Sequence, residues 1–269
     1  MSDSCSYTEF VEQLKQADEL TPDLASTAVS MNAELISYLE ERWGSSPNWE
    51  ECCRAAIKER WSCIKHIKVP TEEMYLLAIE DYSTALGCVP NPTDEFIEKA
   101  LGVNGLCIRF LHNPSYDWQM IAVKQNGFAI QYIDDPVEEI MLQAVKTHPF
   151  SATTIKSPTE KVLVAAVRAD PVVVRSLRWC PESVLLAAIE QSYLYLDYAK
   201  RQTLIMCCKA LEESIYALNF VNSEMLPNVL PYIEEFTKQP GLASRSIGEI
   251  IVKCGEKGLE GFWDFVVSR

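Results

Sequence analysis

The chain has 269 residues, 48% apolar and 23% charged, which is the balance of an ordered protein able to bury a core and excludes a disordered tail. No apolar run reaches the roughly 18 to 20 residues that a membrane-spanning helix needs, and residues 1–6 are polar and acidic where a secretion signal would be basic and then apolar. A formal charge of −14 argues against wholesale binding to phosphate backbones, which requires clustered Lys and Arg.

In chain order, residues 1–48 come first and carry nine acids against two bases, half of the net negative charge. Stretches 10–16 and 25–43 have amphipathic spacing, so this segment is expected to be an acidic, helical N-terminal cap.

Residues 49–223 are an array with a period of 22. Alanine recurs at Ala56, Ala78, Ala100, Ala122, Ala144, Ala166, Ala188 and Ala210, and a branched aliphatic follows each one, from Ile57 and Ile79 through to Leu211. Apolar residues also stand four positions before the alanine, among them Met74, Phe96, Ile140 and Val162, so both positions share one helical stripe. A second apolar cluster lies eight and eleven residues after it, as in Ile64 with Ile67 and Ile130 with Ile133, and predicts a shorter second helix.

Proline repeats too, at Pro70, Pro92, Pro114, Pro136 and Pro158, where each long helix is expected to begin. Asn91, Asn113, Asp135 and Ser157 precede those prolines and are expected N-caps, with Asp94, Glu138 and Glu160 completing capping boxes. Each long helix is expected to stop at Asn104 and Gly105, Asn126 and Gly127, His148 and Pro149, or Asp170 and Pro171, the glycines permitting a left-handed turn.

Residues 224–269 follow as a helical C-terminal cap, with helices expected over 225–236, 247–254 and 262–267. Neither helix of a repeat is long enough to persist alone, so each must bury its stripe on its neighbours. The predicted fold is therefore all-α, an α-solenoid of about eight two-helix repeats with helical caps, packed as one continuous unit.

The segment 122–133 reads AVKQNGFAIQYI. It resembles the tandem helical-repeat family named domain of unknown function 4116, whose units combine a small-aliphatic helix, a Lys-x-Asn-Gly turn and an Ala-Leu-x-Tyr helix. The likeness is good again around 100–111 and follows the period over roughly 50–220. It implies architecture; members of that family are scattered among bacteria, protists and their viruses. The family brings no catalytic residues to carry over.

Chemistry is sparse. His66, His112 and His148 occupy three different positions in the repeat, so stacking does not gather them into a metal site. Ten cysteines follow no disulfide framework, and the adjacent pairs Cys52 and Cys53, and Cys207 and Cys208, suit reduced core thiols. Cys63 and Cys107 share a small-residue position with Ala85 and Ala129, while Cys5 is the thiol expected at the surface. Paired acids such as Glu72 and Glu73 fall in first helical turns, where they favour the helix dipole. No phosphate loop, dinucleotide fingerprint or nucleophile elbow is present, and no catalytic residue, cofactor or metal is expected.

One surface feature stands out. Positions two, nine and twelve after the repeated alanine are expected to face solvent, and there stand Lys146, Lys156, Arg168, Arg175, Arg178 and Lys200. They read as a basic stripe or, since Glu160, Asp170, Glu182, Glu190 and Asp197 are interspersed, as a solvated face of mixed charge. Trp179, Tyr193, Tyr195 and Tyr198 cluster nearby as candidate interface anchors.

The expected function is accordingly a non-enzymatic, cytoplasmic module that binds a protein partner, in the manner of a viral, phage or effector-type inhibitor of a host factor. The alternative is an RNA-binding repeat protein, against which the second position speaks, reading Lys58, Glu80, Gly102, Lys124, Lys146, Arg168, Glu190 and Glu212. An enzyme of unknown chemistry ranks third. No membrane or metal partner is expected.

Overall fold

A computed structural model describes residues 7–229. Among these residues the chain is all-α and built of helical repeats, with eleven α-helices, eight 3-10 helices and no strand. The described residues divide into two compact units, one up to Thr147 and one from His148.

The first unit opens with α1 (Tyr7–Gln16), α2 (Pro22–Met31) and α3 (Leu35–Trp43). The stretch 25–43, expected as one helix, is broken at Asn32: its backbone is extended, and its side chain accepts a hydrogen bond from Glu34 N, the competition that Asn offers to helical bonding. Arg42 ties these helices together. Its guanidinium donates to the carbonyls of Leu14, Lys15 and Ala17, satisfying the open C-terminal end of α1.

Four complete repeats follow in this unit. They are α4 (Trp49–Glu59) with the 3-10 helix Trp61–His66, α5 (Glu72–Asp81) with Ser83–Cys88, α6 (Asp94–Val103) with Gly105–Phe110, and α7 (Tyr116–Gln125) with Gly127–Tyr132. Helix α8 (Glu138–Thr147) closes the described part of the unit. Consecutive α-helices pack on one another, and so do consecutive 3-10 helices.

The second unit begins at the 3-10 helix Pro149–Thr153. It continues with α9 (Glu160–Ala169) and Pro171–Ser176, α10 (Glu182–Ile189) and Tyr193–Tyr198, and α11 (Leu204–Glu213) and Ile215–Phe220. The C-terminal helices expected from residue 225 onward lie outside the described residues beyond Val229.

All eight repeat alanines are buried, none more than 1% exposed, because a methyl group is what fits where neighbouring helices approach. The second helix is 3-10 for a reason visible in its spacing. Gly127 and Ile130 stand three residues apart inside it and are both buried, as a helix with three residues per turn allows, whereas Ile67 and Ile133, expected in the second helix, are the extended C-cap residues that follow it.

Helix starts differ from the expectation. Asn91, Asn113 and Asp135 are not N-caps; they adopt left-handed backbone, with φ of 49°, 48° and 46°, a conformation that Asn and Asp tolerate best among side-chain-bearing residues. The cap is the residue after the proline. Thr71, Thr93, Ser115 and Thr159 each accept a hydrogen bond from the amide three residues on, at 3.2–3.3 Å. The acids expected to close capping boxes instead occupy the first helical position, as Asp94 and Glu160 do, where they meet the positive end of the dipole.

The glycine turn also needs correction. Asn104 is extended (φ −143°), and its side chain caps the 3-10 helix by accepting from Leu106 N. Gly105 is required by close approach: a Cβ there would stand 2.3 Å from the carbonyl oxygen of Ala122 in the next repeat. Across that contact Gln125 accepts from Gly105 N at 2.7 Å and donates to Val103 O at 2.9 Å, joining successive repeats. Glu213 makes the equivalent bond to Tyr193 N, and Gln191, at the position of Gln125, donates to Val167 O, two residues before the counterpart of Val103.

Ser151 is the exception in the small-residue position that Ala85, Cys107 and Ala129 also occupy. Its hydroxyl is fully buried and has no hydrogen-bond partner among the described residues. Replacing it with the alanine found in sister repeats is expected to stabilise the chain by about 1 kcal/mol, since a buried unsatisfied hydroxyl costs about that much. A melt of Ser151→Ala checks this, and a lowered midpoint would mean that the hydroxyl has a partner.

Candidate functional site

The positions two and twelve after each alanine are exposed in every repeat, so the side chains expected at the surface are there. The twelfth position lies in the loop joining a 3-10 helix to the next α-helix. In three successive loops it carries Lys156, Arg178 and Lys200. These loops recur once per repeat within the second unit, where α9, α10 and α11 pack in succession, and packed helices stand about 10 Å apart.

Clefts open between those loops. The larger, about 730 Å³, lies between the loop after Pro171–Ser176 and the loop after Tyr193–Tyr198, and it gathers Arg175, Arg178, Lys200 and Arg201. Its floor is apolar, formed by Val174, Leu177, Leu185 and Met206. The acid in that lining is Glu182, whose carboxylate accepts a hydrogen bond from the Thr203 hydroxyl at 2.7 Å. Tyr198 forms part of the wall and is held by Arg175, whose guanidinium carbon lies 5.4 Å from the ring centroid.

A second cleft of about 570 Å³ adjoins it, bounded by Lys156, Arg178 and Trp179. Arg178 and Leu177 line both, so the two clefts form one bipartite groove. Trp179 is 54% exposed and Tyr198 41%, large aromatic surfaces left at the rim.

The charge pattern is local. Arg175, Arg178, Lys200 and Arg201 make no ion pair with any described residue, whereas Arg54 in the first unit reaches Glu50 and Glu73, and Lys99 reaches Glu72 and Glu95. Of the five acids interspersed in sequence, Glu160 is engaged by Ser183, Asp170 caps Val172 N, and only Glu182 lines the groove. An acidic protein thus concentrates positive charge at one groove, where low-dielectric walls focus the field.

The other candidates do not meet there. Lys146 is exposed on α8 in the first unit. Arg168 is exposed on α9 and lines neither cleft. Tyr193 is half-buried, its ring 6.0 Å from that of Phe220, and Tyr195 is buried, so neither is a rim anchor. Arg201 was not among the sequence candidates, nor was the apolar floor. Arg201 stands one residue after Lys200, at the position Trp179 occupies one repeat earlier, and that equivalence is the signal that points to it.

Nucleophilic chemistry finds no support in the thiols. Cys53, Cys63 and Cys107 are buried and their thiols are pushed up to about 12, burial being the first cause, whereas a reactive cysteine has its pKa lowered. Cys52, Cys207 and the other described cysteines are free thiols. Cys5 lies outside the described residues. No group of His, Cys, Asp and Glu among the described residues has the arrangement of a metal site, and no described helix is long and apolar enough to cross a membrane. Comparison with known proteins finds no matching family model, no matching curated protein and no matching solved structure.

Proposed function

We propose that this chain is a non-enzymatic helical-repeat protein that binds a protein partner through the cationic groove of its second unit. The observation that carries the reading is the set of four cations, Arg175, Arg178, Lys200 and Arg201, which form no ion pair with a described residue and stand around an apolar floor in a chain of net charge −14. Like charges held together raise the energy of the free protein, and an anionic surface docked on them relieves it. Exposed Trp179 and Tyr198 supply the kind of rim that macromolecular interfaces use, since aromatic rings bury large area at small entropic cost. Stacked helical repeats commonly serve as binding surfaces, which agrees at the level of fold.

The test is affinity capture from cell extract with the intact chain and with the double variant Arg178→Glu, Lys200→Glu. Both residues are exposed, so folding should be unaffected, which a melt verifies. One dominant acidic protein, retained by the parent chain and lost from the variant, is the expected result. Equal recovery by both chains overturns the assignment of the groove, and salt-sensitive RNA retention in place of a protein overturns the partner class.

A further inference from the structure

We infer that the groove accepts an extended acidic peptide in polyproline II conformation, with carboxylates at every third residue and apolar side chains between them. This deepens the proposed function and rests on it.

The spacing carries the inference. Lys156, Arg178 and Lys200 recur once per repeat, and packed helices stand about 10 Å apart. A polyproline II chain turns once every three residues and rises about 3.1 Å per residue, so acids at i, i+3 and i+6 lie on one face about 9.3 Å apart. The two periods match. A flat β-strand does not fit, since its side chains alternate and residues three apart face opposite ways.

The floor selects against other anions. Val174, Leu177, Leu185 and Met206 line the larger cleft with apolar atoms, the partly exposed Leu177 foremost. Inorganic phosphate presents charge alone and leaves that surface wet. A three-residue turn presents a second face to the floor while its acids meet the cations, and a third face to water. Aromatic-lined grooves are the usual seat for this conformation, because a chain already stiff loses little entropy on binding. Trp179 and Tyr198 stand at the two clefts in that role, and Arg178 stands in both clefts as the central cation.

The test uses fluorescence anisotropy on the full chain with two labelled peptides of about 12 residues, four turns of such a helix. One carries Glu at every third position with Pro and Leu between; the other has the same composition with all Glu in one block. A single-stranded RNA oligonucleotide of equal charge is the third probe. The periodic peptide is expected to bind at least about tenfold more tightly than the block peptide, and Arg178→Glu and Lys200→Glu are each expected to weaken it about tenfold or more. Lys58→Glu, an exposed cation of α4, leaves the affinity unchanged.

Equal affinity for the two peptides, or RNA binding as tight as the periodic peptide, overturns the inference. If neither peptide binds while charge reversal still abolishes capture of the protein partner, the conformation is wrong and the function stands. If capture is also indifferent to charge reversal, both fall together.

Discussion

Ile130→Ala is expected to cost about 2–5 kcal/mol, the range for truncating a fully buried aliphatic when its surroundings relax only partly. Ile130 is 2% exposed in the 3-10 helix Gly127–Tyr132, which packs on α7, on α8 and on the preceding 3-10 helix. The side chain therefore serves three neighbours at once. In a repeat stack the loss travels by contact, so hydrogen exchange should quicken most across 105–147 and least around α1. Ile205→Ala is the control: that residue is 60% exposed in α11, and the same truncation should stay within about 0.5 kcal/mol. Urea denaturation of the two variants decides the matter. Equal losses would mean that burial in the stack does not set stability.

The fold was readable wherever a side chain's burial is fixed by the period. The alanine position, the aliphatic after it and the pair three residues apart each repeat because every repeat faces an equivalent neighbour, and all eight alanines are buried as their recurrence implies. Local backbone geometry was less readable. In the run Asn91, Pro92, Thr93 either polar residue can cap a helix by its chemistry, and the preference for proline at the first helical position favoured Asn91. The structure puts Thr93 in the cap and Asn91 in a left-handed turn, and the recurrence of Thr71, Thr93, Ser115, Thr159 and Thr203 was the sign of it. Gly105 was misread for a related reason, since close approach to Ala122 and left-handed backbone both demand glycine.

The site was legible as a ladder and illegible as a cleft. Periodicity places Lys156, Arg178 and Lys200 at one position of successive repeats, but it is silent on whether acids share their side. Glu160 and Asp170 lie close in sequence and are engaged elsewhere, by Ser183 and by the 3-10 helix amide of Val172. The floor was hidden for another reason: Val174 and Met206 occupy repeat positions that read as core and are buried, as Leu185 is too, yet all three also line a groove between loops. Which apolar residue ends at an edge depends on the path of the loops between repeats, which periodicity does not encode.

Alkaline pH should unfold the first unit before its lysines titrate. Cys53, Cys63 and Cys107 are pushed up to about 12 from an ordinary 9.0, burial being the first cause in each. In the unfolded chain the same thiols ionise above pH 9, so between pH 9 and about 12 the unfolded state holds fewer protons than the folded one. Stability then falls as pH rises, and these groups make no pH dependence below that window. One pH unit above the unfolded value costs about 1.4 kcal/mol per thiol, and three thiols together cost on the order of 4 kcal/mol at pH 10. Urea titrations at pH 8 and pH 10 measure the loss. Cys63→Ala with Cys107→Ala should cut it to about a third, and the small-residue position accepts alanine, as Ala85 and Ala129 demonstrate. If the double variant loses as much stability as the parent chain, ionisation of these thiols is not what opens the fold at high pH. A thiol that stays neutral to such alkaline pH supplies no thiolate at neutrality, which leaves Cys53, Cys63 and Cys107 to packing.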